Sequence, residues 1–135
     1  MKKILVIDGQ GGGIGGQLVA AIKETFPEYI ITAVGINAIA TSAMIKAGAS
    51  NVATGENAVV VCSKKADVIV GPIGIVLADS MRGEITATIA AAVGASDAVR
   101  ILLPTNHCGT IIPGASDLPI AKLIQGVVQK LQTLK

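Results

Sequence analysis

The chain has 135 residues, 51% of them apolar and 15% charged, with a formal net charge of +2. So much apolar content excludes a disordered chain, and so little charge excludes electrostatic steering of nucleic acid. With one Phe, one Tyr and no Trp there is no stacking platform for single strands, and no apolar run is long enough to span a bilayer.

In chain order, Lys3–Ile7 is a short apolar strand that feeds a loop with six glycines in the eight positions 9–16. Ile14, Leu18, Ala21, Ile22 and Phe26 then recur at helical spacing, and Pro27 stops that helix. Tyr29–Val34 is β-branched and reads as the second strand. Ala38–Ala47 reads as a helix, with Asn37 at its N-cap and Gly48 just past its end. Asn51–Ala53 suits a short third strand. The stretch after it is two-sided: Val59-Val60-Val61 favours a strand, whereas a Thr54 cap, Glu56 in a first turn and Lys64-Lys65 at a C-terminus favour a helix, which we adopt.

Asp67–Val70 is the next strand and ends at Gly71-Pro72. Ile85, Ile89, Ala92 and Val93 mark a helix that Glu84 supports at its start, and Val99–Leu103 is a further strand. Thr110–Ile112 is a candidate edge strand. Pro119 starts a last helix whose Ile120, Leu123, Ile124, Val127, Val128 and Leu131 form one apolar stripe. Alternating strands and helices imply an α/β fold, a mainly parallel sheet with helices on both faces, in a single domain over 1–135. The few charges available to cover its surface point to a homo-oligomer. Met1-Lys2-Lys3 looks like a signal-peptide start, but the apolar stretch ends at Asp8, too soon for an h-region. Cys62 and Cys108 have neither disulfide nor zinc spacing, and we expect a cytoplasmic protein that uses no metal.

The glycine loop carries the functional expectation. One or two glycines suffice for a tight turn, so six between a strand and a helix suggest backbone amides bared for an anion at a helix N-terminus. The ligand-binding candidates are Asp8, Gly9, Gln10, Gly11, Gly12, Gly13, Ile14 and Gly15 in the loop, with Asn37 and Thr41 after the second strand. Gly71, Pro72, Gly74 and Asn106 would join them from the ends of later strands, at the same carboxyl edge of the sheet. Asp8 would repel a phosphate unless a metal or a ribose hydroxyl sits between them; its simpler role is to hold the loop amides.

Gly9-x-x-x-Gly13-Ile14-Gly15 resembles the Gly-x-x-x-Gly-Ile-Gly turn of short-chain dehydrogenases, and Asp67–Ile75 (DVIVGPIGI) is similar to their fourth strand and its ending. The resemblance covers about the first half of the chain and implies a cofactor site for NAD, NADP or another nucleotide. The chain departs from that family at its catalytic Tyr-x-x-x-Lys, since Ala33 stands four residues after the sole tyrosine, Tyr29. Asn106 lies near where the family has a catalytic Ser, and no carboxylate follows the second strand to hold a ribose, only Asn37. Over its whole length, through DGQGGGIG, GxNAxATSAM, ATGENA, DVIVGPIGI and S-M-x-G-E-I-T, the chain resembles a family of small bacterial proteins described as a domain of unknown function. That resemblance implies a Rossmann-like three-layer sandwich.

Three functions remain open on these residues. The first is a module that binds a nucleotide or another small anionic ligand, in a regulatory or carrier role. The second is a small enzyme using the same pocket with Asn106, His107 or Cys108. The third is an oligomeric structural or partner-binding domain.

Overall fold

An apolar run without alternation is what a strand covered on both faces requires. β1 (Lys3–Asp8) is such a run, and in a computed structural model of the chain Ile4 to Ile7 are all buried. The structure describes residues 2–105, 109–115 and 117–134. After β1 come α1 (Gly13–Thr25), β2 (Ile30–Gly35), α2 (Ala38–Lys46), β3 (Asn51–Thr54), α3 (Glu56–Ser63) and β4 (Val68–Pro72). A 3₁₀ turn at Ile73–Val76, α4 (Ala87–Gly94), β5 (Val99–Leu103) and α5 (Ile120–Thr133) complete the order.

The five strands form one sheet in the order β3-β2-β1-β4-β5, and every pair is parallel. β1 is central, with Val6 level with Ala33 on β2 and with Val70 on β4. Ile4 and Val6 face one core with Leu18, Val19 and Ile22 of α1 and Ile124, Val127 and Leu131 of α5. Leu5 and Ile7 face the other, with Val59 of α3 and Ile89 and Val93 of α4. Helices therefore cover both faces in three layers. The chain builds outward from β1 through β2 to β3, then crosses back to β4. That reversal opens a crevice between the carboxyl ends of β1 and β4, where open α/β sheets characteristically hold ligands.

Three local expectations need correction. Thr110–Ile112 is not a strand. It lies between left-handed turns at Gly109 and Gly114, and Ile111 is 87% exposed, so no strand among the described residues pairs with it. The stretch after β3 is helical as expected, because a parallel crossover to β4 needs a connecting element. Thr54 does not cap it, however: the N-cap is Gly55, and the Thr54 hydroxyl pairs with that of Thr41 at 2.7 Å. Glu84 does not open α4, whose N-cap is Thr86, its hydroxyl accepting from the Ile89 N–H at 3.1 Å.

Candidate functional site

Asp8 ends β1 and is buried at the mouth of the glycine loop. Its carboxylate accepts from the Gly9 N–H at 2.8 Å and the Gly15 N–H at 2.7 Å, which ties the strand end to the first turn of α1. Burial pushes this carboxyl above its ordinary pKa. The Gly15 and Gly9 bonds pull it back in part, and the nearby charge of Glu84 adds to the rise. The side chain thus occupies the amide that a loop anion would first be expected to use.

The turn into α1 is made at Gly12, the N-cap, with φ 73. A Cβ there would stand 2.6 Å from the Cα of Ala40, so the loop lies against the backbone of α2 and only glycine fits. Gly15 is required for a different reason, since its Cβ would meet Asp8 Cβ at 2.8 Å. Gly11 and Gly13 face open space, with nothing within 4 Å of a built Cβ and no left-handed backbone. Neither packing nor conformation explains them. The N–H groups of Gly11, Gly13 and Ile14 have no acceptor among the described residues.

The other side of the loop is held by a residue from far along the chain. Glu84 accepts from the Gln10 N–H at 2.6 Å and from Asn37 Nδ2 at 2.7 Å. Asn37 also donates to the Gln10 carbonyl at 2.9 Å and caps α2 by accepting from the Ala40 N–H at 2.8 Å. A carboxylate therefore does stand at the end of β2, supplied across space by the β4–α4 connection. Sequence reasoning missed it because Glu84 lies 47 positions from Asn37. The only signal was the S-M-x-G-E-I-T motif, which says nothing about where the motif docks.

Between the carboxyl ends of β1 and β4 lies a crevice of about 320 Å³. It is lined by Asp8, Gln10 and Ile14 from the β1–α1 segment, by Pro72 at the end of β4 and Gly74 in the 3₁₀ turn, and by Met81 and Arg82 of the β4–α4 connection. Thr105, just past β5, also lines it, and its Oγ1 is buried without a partner among the described residues. Of the residues singled out in the sequence, Asp8, Gln10, Ile14, Pro72 and Gly74 line this space. Asn37, Thr41, Gly71 and the loop glycines Gly9, Gly11, Gly12, Gly13 and Gly15 are not among its lining residues. Thr41 is buried between α2 and β3, where its hydroxyl also donates to the Asn37 carbonyl, and Gly71 packs against the backbone of β1 at Ile7. Asn106, His107 and Cys108 lie outside the described residues. A second depression, of about 220 Å³, lies far from the loop, among the starts of β1, β2 and β3 and the end of α3.

No three His, Cys, Asp or Glu side chains among the described residues come together as a metal site. Among them, too, no helix is long and apolar enough to cross a membrane.

The parallel order β3-β2-β1-β4-β5, with a glycine turn from the central strand into a helix, defines a Rossmann-like α/β protein. Within that class the chain belongs to the family described as a domain of unknown function, DUF3842, whose model matches residues 3–135. No curated protein matches it. Among solved structures, the chain is similar to a V8 variant of an imine reductase from Myxococcus stipitatus in complex with NAD+. The identity is 25% and the TM-score 0.40, over 54% of this chain and 23% of that one. It is also similar to a dodecameric FMN-dependent UbiX-like decarboxylase from Escherichia coli O157:H7, at 18% identity and TM-score 0.46, over 98% of this chain and 76% of that one. The chain thus spans about a quarter of the reductase's length.

Proposed function

We propose that this protein binds a nucleotide or another phosphorylated small molecule in the crevice beside Gly9–Gly15, as a regulatory or carrier module. The observation that carries the proposal is the pair Gly11 and Gly13. Both lack side chains where a side chain would fit, and both lie on a loop whose remaining amides have no protein acceptor among the described residues. A ligand approaching the backbone explains them where packing does not. The anion is taken up by the N–H groups of Gly11, Gly13 and Ile14, because Asp8 already holds those of Gly9 and Gly15.

A thermal-shift panel of nucleotides, dinucleotides and sugar phosphates tests this. A ligand at 100-fold over its dissociation constant adds about 2.7 kcal/mol of stability. Gly13→Val should abolish that shift while the protein stays folded, since the new side chain enters open space on an ordinary helical backbone. Gly16→Ala is the control: its Cβ makes ordinary contact with Ala43, and alanine is favoured within a helix by up to about 1 kcal/mol. A folded Gly13→Val that binds as the native chain does would remove the assignment.

We also propose a cytoplasmic homo-oligomer. Ile39 and Ile45 on α2 and Val52 on the edge strand β3 are exposed apolar residues on neighbouring elements, and self-association would cover them. Light scattering at micromolar concentration should give at least a dimer, and a monomer would refute this.

A further inference from the structure

We propose that the crevice is built for a compact phosphate monoester and excludes a dinucleotide; this rests on the anion-binding function above and narrows its ligand. A dinucleotide crossing a sheet of this kind needs two spaces, one on each side of the loop after β1, with the second ribose held at the end of β2. Here the second space is filled by the chain itself. Glu84 lies directly over Gly9, where a built Cβ would stand 2.8 Å from its Oε1, and its two oxygens hold Gln10 and Asn37. Asn37 spends both ends of its amide on Gln10, Glu84 and Ala40. A ribose at this point would have to displace a closed network, and a second phosphate would meet the charge of Glu84.

Among the described residues, the open space beside the loop lies on the β4 side. Its volume of about 320 Å³ is near the lower end of small-ligand pockets, which run from about 300 to 1,000 Å³. Ile14, Pro72 and Met81 give it apolar walls for a short ligand body. Arg82 is the one cation among the described residues that line it, and the β4–α4 connection holds that residue at φ 56. The Thr105 Oγ1, buried and without a partner among the described residues, belongs to a residue that lines the same space and offers the ligand a hydrogen bond. One phosphate on the Ile14 amide and its chain neighbours Gly11 and Gly13, which stand outside the lining residues, with Arg82 lining the same space and a small body over the apolar wall, draws on these features.

The test is an amide NMR titration of the full chain with inorganic phosphate, ribose 5-phosphate and NAD+. The expected result is that ribose 5-phosphate shifts the Gly11, Gly13 and Ile14 resonances and saturates at concentrations at least about tenfold below those needed for inorganic phosphate or NAD+. Arg82→Gln, at an exposed position, should weaken ribose 5-phosphate by about tenfold through loss of a charge-assisted bond. Tighter binding of NAD+ with shifts at Asn37 and Glu84 would overturn the compact-ligand proposal and leave the anion-binding function standing. Equal affinity for ribose 5-phosphate and inorganic phosphate would overturn the monoester assignment. No response of the loop amides to any of the three would overturn both the proposal and the function it rests on.

Discussion

The β1–α1 turn and the β4–α4 connection face the same crevice, yet they load side chains onto left-handed backbone to different degrees. The turn is left-handed at Gly12, at little steric cost, and at Gln10 (φ 50), which the bonds to Glu84 and Asn37 hold in place. The connection places Asp79, Met81 and Arg82 at φ 65, 55 and 56, where a side chain costs roughly 1 kcal/mol or more at each position. It is held there by a dense set of bonds. The Asp79 N–H donates to the Ile85 carbonyl at 2.6 Å, and the buried Ser80 hydroxyl donates to the Gly74 carbonyl at 2.5 Å. The Ile85 N–H returns to the Ser80 carbonyl at 3.2 Å, and Ile85 itself is fully buried. The connection is the more heavily imposed wall, with three such side chains against one in the turn. The imposed wall is also the one that carries Arg82 and Glu84.

The largest way to break this contrast is to put a side chain where the turn permits none. Gly12→Val should cost more than about 3 kcal/mol, from the left-handed backbone and the collision with Ala40, read as a lower urea midpoint. A loss below about 1 kcal/mol would mean that the loop can lift off α2.

The charge at the base of the turn comes next. Asp8 has a raised pKa in the folded protein, so the native state binds more protons than the unfolded chain between the two values. Its burial therefore opposes folding at neutral pH. The stability it contributes is fully present below the unfolded pKa and is lost as pH rises through the folded one. Urea unfolding from pH 7 downward should show the native chain gaining on Asp8→Asn as Asp8 takes up its proton. Parallel curves for the two proteins would show that Asp8 carries no such shift.

Glu84 joins the two walls, and Glu84→Ala should cost about 1–2 kcal/mol by releasing Gln10 and Asn37. Hydrogen exchange at Gln10 should accelerate in that variant while exchange in the β1 core stays unchanged. Unaltered exchange at Gln10 would mean that Glu84 is not what holds the loop.

The smallest effect has the opposite sign. Arg82→Gly should stabilise the chain by about 0.5–1 kcal/mol, because it relieves a left-handed side chain at an exposed position. The same change removes the cation from the crevice. A destabilised Arg82→Gly would show that the connection is unstrained at that residue.

The fold was largely legible because its signals are local. The unbroken apolar run of β1, the 3.6-residue stripes of α1 and α5 and the Asn37 cap each act within a few residues, and each element formed where those signals stand. Glu56 and the lysine-rich end of α3 outweighed the β-branched triplet there, since the crossover to β4 required a connecting element. The loop after β5 failed as a strand because pairing needs a neighbour and a cover, which three residues between glycine turns do not have.

By itself, the sequence determined an α/β chain with a glycine loop after its first strand, because apolar period and backbone freedom are written in neighbouring residues. The tertiary structure alone decided which glycines are needed: Gly12 and Gly15 by the approach of α2 and of Asp8, Gly11 and Gly13 by nothing among the described residues. It alone brought Glu84 to Asn37 and Arg82 to the crevice. The reason is physical: a carboxylate's partners are set by where the sheet order folds its segment back, and 47 residues of intervening chain leave no periodic trace of that meeting.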